Sequence, residues 1–530
     1  MFIEGNLVDV KTEEIYPAGI EVYGKYIKKV EEKHKEYSCY ILPGFIDAHI
    51  HIESSLLCPS RFAETVVTHG TTAVITDAHE IANVAGMEGI KYMMKDASII
   101  KFFFALPSCV PASPFDDAMK IDKKEIEELM KMPNVVALGE VMDYFGVING
   151  NREIIEKIEI AKKYDKPVDG HAPLLTGNAL RKYISYGIST DHECISYDEA
   201  REKQKLGMKI MIREGSSAKN MKDLLGLDYD ACFLVTDDLM VNDLLKGHVN
   251  LLIKKAIEYG IDEIKAIKMA TINPAEHYGL NTGSIEEGKE ADIAIVGNMK
   301  EMNVKEVYVN GKLVAKNEKC LVKIKPKKTK SYIKIRKMKK EDFFILCNRE
   351  KVRVNVIEPV KNQIITKKGM ATLSVKNGNI VADGSISKVA VINRRNSKVG
   401  IGFVKLKMER GAIASSIAHD SHHIIVIGRD EEKMATAVNS IKNGGIVAVG
   451  DRIVRLDLPI AGLMSDEPAK KVSDKLEKIM EYAHRLGCNG NPFKIISFLA
   501  LLVIPEIRIS DKGLFDVNKQ RFMDVIVGDE

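Results

Sequence analysis

The sequence predicts an α/β protein: a (β/α)8 TIM barrel with a small flanking β-domain and a C-terminal α/β domain. Three observations carry this. Eight short apolar runs alternate with helical stretches between residues 43 and 238, strand-rich segments flank that region on both sides, and His or acidic residues recur where the runs end. Strands alternating with helices imply parallel pairing, and eight such units fit a closed barrel.

Taken in order, residues 1–42 read as short strands with turn signals, the first part of the β-domain. The barrel spans 43–282. Its candidate strands are 44–47, 71–76, 101–106, 135–138, 167–169, 188–190, 209–212 and 232–235, each followed by a turn and a helical stretch. Helices are expected over 248–259 and 261–272, the second ended by Asn273-Pro274. Residues 283–340 supply the second part of the β-domain, with a hairpin signal at Asn310-Gly311, and a basic linker. Residues 321–340 hold ten Lys or Arg and no acid, which reads as a solvated boundary. Residues 341–530 mix strands and helices and form the C-terminal domain.

Composition narrows the function classes. The 530-residue chain is 45% hydrophobic, enough for a large core, and its net charge of +4 creates no field for nucleic acid. The longest apolar run, 496–504, is too short to span a bilayer, so no membrane partner is expected. None of the eight cysteines forms a C-x-x-C pair. With no apolar leader, they read as reduced thiols of a cytoplasmic protein.

The chemistry begins at His49-Ile-His51, after the first run. Side chains two apart on a strand share a face, so both imidazoles can chelate one ion at the barrel's C-terminal mouth. Glu140 ends the fourth run, His171 the fifth, His192 the sixth and Asp237 the eighth. His49, His51, Glu140, His171, His192 and Asp237 are therefore the expected metal ligands. Imidazole with carboxylate suits a first-row divalent ion, and Glu140 can bridge two.

This arrangement resembles the amidohydrolase superfamily, as do the segments Thr271-Ile-Asn-Pro-Ala275 and Gly283-Ser-Ile-Glu-Glu-Gly-Lys-Glu-Ala-Asp292. Relatives such as dihydroorotase and urease carry a carbamylated Lys after strand four, where this chain has Glu140. Within the superfamily the chain resembles the adenine deaminase family. The carrying segments are Asp47-Ala-His-Ile-His-Ile-Glu-Ser-Ser55, Thr76-Asp-Ala-His-Glu-Ile-Ala-Asn-Val84 and Gly139-Glu-Val-Met142, then Arg410-Gly-Ala-Ile-Ala-Ser-Ser-Ile-Ala-His-Asp-Ser-His422 and Pro505-Glu-Ile-Arg-Ile-Ser-Asp-Lys-Gly513. Ala78 and His423 depart from it, standing where Pro and Asn are expected.

The resemblance implies hydrolytic deamination of adenine to hypoxanthine and ammonia, in purine salvage, by a metal-activated hydroxide. It implies one or two ions per barrel, Mn2+ or Fe2+, and a homo-oligomer. Asp237, His192 and Glu140 are then the catalytic candidates: Asp237 moves a proton, His192 polarises the substrate or completes the metal shell, and Glu140 bridges. Glu53, Asp77, His79, Glu80, Arg213 and Ser216 are candidates for the purine edge. The cluster His419-Asp-Ser-His422-His423 suits a structural or mouth-covering role better than a second metal site. The zinc base deaminases, with H-x-E and P-C-x-x-C, are excluded because no C-x-x-C exists. Two alternatives stay open. One is the same metal site acting on another cyclic amide or amidine; the other is a non-catalytic scaffold, though scaffolds usually lose ligands and all six are present here.

Overall fold

In the computed structural model of the chain, which describes residues 1–361 and 363–527, the eight expected barrel strands all form. We label them β1 (Phe45–Ile50), β2 (Thr71–Asp77), β3 (Lys101–Leu106), β4 (Val135–Val141), β5 (Val168–Gly170), β6 (Thr190–Asp191), β7 (Lys209–Arg213) and β8 (Cys232–Val235). All neighbours pair in parallel. Bridges Val168↔Ile188 and Ile50↔Asp237 join the two runs of strands, so the sheet closes. The interior is filled by small and branched side chains from the strands, including Ile46, Ala48, Ala73, Ile75, Ala105 and Ala137. This filled centre leaves the strand ends as the place for chemistry.

The surrounding helices form for local reasons. In Arg152–Lys163, Ile154, Ile158 and Ala161 lie on one buried stripe at helical spacing. Asn151 caps the helix by accepting from Glu153 N at 3.1 Å, and Lys162 and Lys163 complement the dipole at its end. The connection after β7 differs from expectation. Among the described residues it holds only 3-10 turns, Met221–Leu224 and Tyr229–Ala231, because its Gly and Asp residues break any helical period. After β8 comes a single helical turn, Val241–Leu244, then helices over Val249–Glu258 and Glu263–Lys268. Asn273-Pro274 does not end that helix. It lies in the first turn of a further one, Ile272–His277, where a missing N–H costs no bond.

Strands from both flanks make one eight-stranded sheet, whose seam pairs Ile293–Val296 antiparallel to Tyr40–Pro43. Contacts divide the chain into two compact units. The first is Met1–His79, Ile90–Cys109 and Ile121–Lys327; the second is Glu80–Gly89, Val110–Lys120 and Lys328–Glu530. The boundary at Lys327 and Lys328 falls inside the basic segment. The second unit holds a nine-stranded mixed sheet with the order Asn379–Ile380, Thr366–Lys376, Lys351–Pro359, Val399–Val404, Ser387–Ile392, Ile424–Gly428, Ala412–Ser415, Gly445–Val449, Ile453–Asp457. Helix Glu431–Asn439 buries Met434, Ala437 and Val438 in a core with Ile392, Ala414 and Val426. No helix among the described residues is long and apolar enough to cross a membrane.

Candidate active site

The barrel delivers the six expected ligands to one mouth. His51 Nε2 lies 3.1 Å from Asp237 Oδ1 and 3.4 Å from Glu140 Oε1. His49 Nε2 is 3.4 Å from Asp237 Oδ1, and its ring stacks on His192 at 4.3 Å between centroids. Glu140 also meets His171 Nδ1 at 2.7 Å and His192 Nε2 at 3.3 Å. Four elements hold these groups in place. The Nδ1 of His51 donates to the backbone oxygen of Asp77 at 2.9 Å, which leaves Nε2 aimed at the centre. Asp77 Oδ2 accepts from Glu140 N at 3.2 Å; a Cβ on Gly139 would collide with that carboxylate, so glycine is required there. Ser108 Oγ donates to the Glu140 carbonyl at 2.5 Å. Buried Lys203 donates at 2.7 Å to both Asp191 and the carbonyl of Ala172, tying the ends of β6 and β5 together beside His192 and His171.

Charge inside the mouth is tightly held. Burial would raise Glu140, but His171 and His192 keep it well below the ordinary carboxylate range. Asp237 is held low in the same way by His49 and His51. Burial and the neighbouring His79 oppose a charge on His51, yet Asp237 and Glu140 overrule them and lift it to about 10. Burial and the adjacent His192 push His49 down. Ionised carboxylates are thus balanced by protons parked on imidazoles, which a bound cation displaces.

These residues fit a divalent metal. The sets His49/His51/Glu140, His49/His192/Asp237 and Glu140/His171/His192 each bring their ligand atoms within 4.8 Å of one another. His49 Nε2 and His192 Nδ1 are buried without a hydrogen-bond partner, a costly state that a cation relieves at His49. Nitrogen and oxygen donors of this kind suit a first-row ion.

The other expected residues divide. Asp77 and His79 join the mouth: with His51 they form a further ligand-competent set, and His79 Nδ1 is 3.5 Å from Glu140 Oε1. Arg213 also reaches it, but its guanidinium is engaged. Nη1 donates to Asp237 Oδ2 at 2.8 Å and contacts Glu193 Oε1, while Nη2 is 3.2 Å from Glu193 Oε2. Glu53 is buried in the turn after His51. Ser216 is engaged in a loop: its hydroxyl donates to Asp243 Oδ2 at 2.7 Å and accepts from Met240 N at 2.9 Å. Glu80 falls in the second unit, with His419 Nδ1 at 2.8 Å and His422 Nε2 in contact. Sequence reasoning missed Glu193. Its Oε1 lies 3.3 Å from His192 Nε2, and the only signal was an acid directly following a strand-end histidine.

A closed barrel whose strands bring histidines and carboxylates to one mouth defines a metal-dependent hydrolase of the amidohydrolase class. A family model described as "Amidohydrolase family" matches residues 40–314. A second, "Adenine deaminase C-terminal domain", matches residues 363–521. The chain is 46% identical to an adenine deaminase of Methanosphaera stadtmanae, covering 99% of each. It is 46% identical to that of Methanothermobacter thermautotrophicus over 98% of each, and 42% identical to that of Borreliella burgdorferi over 98% of this chain and 99% of the relative. The chain belongs to the adenine deaminase family.

Proposed function

We propose that the chain hydrolyses the 6-amino group of adenine, giving hypoxanthine and ammonia. The observation that carries this is the convergence of His49, His51, Glu140, His171, His192 and Asp237 at one barrel mouth. Relatives named adenine deaminase along the whole chain support it over other cyclic amides or amidines.

His49, His51, Glu140, His171, His192 and Asp237 would hold one or two divalent ions, Mn2+ or Fe2+ on the family resemblance. Such an ion, when bound, lowers the pKa of water from ~15.7 towards ~7. The protein's residues manage the protons. Water adds its oxygen to C6; one of its protons ends on N1 and the other on the departing amine, so the C6–N bond breaks with ammonia leaving. Asp237, kept ionised by its neighbours, is the acceptor and carrier for that transfer. On this reading His192 polarises the purine or completes the metal shell, and Asp77 and His79 line the same mouth. Arg213 and Glu193 fix Asp237 rather than read the base. Cytoplasmic location and homo-oligomeric assembly belong to the same reading.

The test is a purine panel with Mn2+-loaded protein, following ammonia and the ultraviolet change from adenine to hypoxanthine. Release of both in equal amounts from adenine supports the proposal. A flat trace with adenine, or turnover confined to another cyclic amidine, overturns it.

A further inference from the structure

Asp237 is held in an unfavourable backbone conformation. Its φ is 56°, in the left-handed region that few non-glycine residues adopt. Such a residue persists only where its surroundings over-determine it. The backbone supplies part of the restraint: Asp237 N donates to the carbonyl of His49 and His51 N donates to the carbonyl of Asp237, both at 3.0 Å. The rest comes from a buried polar chain that the reaction itself does not use. Thr236, directly before Asp237, sends its amide to Asp47 Oδ1 at 3.2 Å and its hydroxyl to Asp47 Oδ2 at 2.5 Å. Asp47 Oδ1 also lies 3.4 Å from His49 N. The other side of that carboxylate faces His248 Nε2 at 3.0 Å, close enough for an ion pair though off the hydrogen-bond line. His248 Nδ1 is in turn held by Thr71 Oγ1 at 2.8 Å. Asp47, Thr71 and Thr236 have no exposed surface, and His248 has 1%.

This chain crosses the seam where the barrel closes, between β1 and β8. A buried carboxylate that has lost its water needs every one of these donors. It therefore gives Thr236 one allowed position, and Thr236 gives Asp237 one allowed backbone. We infer that Asp47 and His248 are positioning residues: through Thr236 they form a clamp that holds Asp237 in its left-handed conformation and aims its carboxylate into the mouth. The clamp rests on the reading of Asp237 as the proton carrier. It acts through Asp237 and touches no substrate.

The test is a double-mutant cycle. Thr236→Val removes one donor and keeps the shape. It should lower kcat about 10- to 100-fold, the cost of displacing a reacting group by about an ångström, with KM within twofold and the Mn2+ content per chain unchanged. Asp47→Asn should act in the same direction and more strongly; if it fails to fold, Thr236→Val decides. In the Asp237→Asn background, Thr236→Val should change kcat less than twofold, because the group it positions has gone. Thr271→Val, which removes a buried hydroxyl bonded to the Ile267 carbonyl at 2.7 Å away from the mouth, should leave kcat unchanged. Parent-like kcat in Thr236→Val, or full multiplication of its effect on Asp237→Asn, overturns the clamp. If Asp237→Asn itself keeps full turnover, the proton-carrier reading fails instead, and the clamp with it.

Discussion

Each unit contains a buried cluster of histidine and carboxylate, and the two use the same side chains differently. In the second unit Glu80 meets His419 Nδ1 at 2.8 Å and contacts His422 Nε2. Ala418 N donates to His422 Nδ1 at 3.3 Å, which places the ring proton on Nε2, facing Glu80. Burial pushes His422 down to about 4, so it stays neutral, and His419 is stacked on Phe498. The cluster is closed by its own hydrogen bonds. In the barrel mouth, several carboxylates share too few donors, His51 is driven up to about 10, and His49 Nε2 has no hydrogen bond. Both clusters bring ligand atoms within reach of one another, so proximity alone does not separate them; the hydrogen bonding around the rings does.

The largest expected effect comes from removing the metal. Dialysis against a chelator should take adenine turnover to background, and Mn2+ should restore it; full activity in protein shown metal-free by elemental analysis would break the contrast. Asp237→Asn comes next. It should keep bound metal and lose ~10²- to 10⁴-fold in kcat, the range for a general acid–base group; parent-like turnover removes Asp237 from proton transfer.

Acid stability sharpens the contrast with groups in neither cluster. Burial pushes His69 and His277 from 6.5 down to about 4. Between those values the unfolded chain binds more protons than the folded one. The stability these rings contribute is present above about pH 6.5 and is lost as pH falls towards 4. The loss is on the order of 3 kcal/mol for each ring, measured by denaturant unfolding at both pH values. His277→Gln should flatten the curve, and an unchanged slope in that variant contradicts the assignment. Smallest of all is Glu80→Gln. It should lower the melting temperature through the loss of about 1.5–3 kcal/mol of charged hydrogen bonding, with no change in metal per chain. A lost ion would make the second cluster a metal site after all.

Much of the fold was readable because a barrel repeats one simple rule. Each strand gives a short apolar run and places its last residues at one face. His49, Glu140, His171, His192 and Asp237 could be ordered from that rule alone. The residues that stayed hidden depend on tertiary routing. Glu80 comes directly after His79, yet the two fall in different units. Glu193 lies past the end of β6, where strand alternation no longer says which way a side chain points. Arg213 looked available for a purine, but two carboxylates distant in sequence engage it. The missing helix after β7 and the short helix holding Pro274 are failures of local signals, since Gly and Pro mark breaks without specifying the next element.

Elemental analysis of Mn2+-loaded protein, comparing the parent with Glu140→Gln and Glu80→Gln, tests the central claim most directly. We expect one or two ions in the parent, at least one fewer in Glu140→Gln, and the parent value in Glu80→Gln. No ion in the parent, or an undiminished count in Glu140→Gln, would contradict the assignment of the barrel mouth as the metal centre.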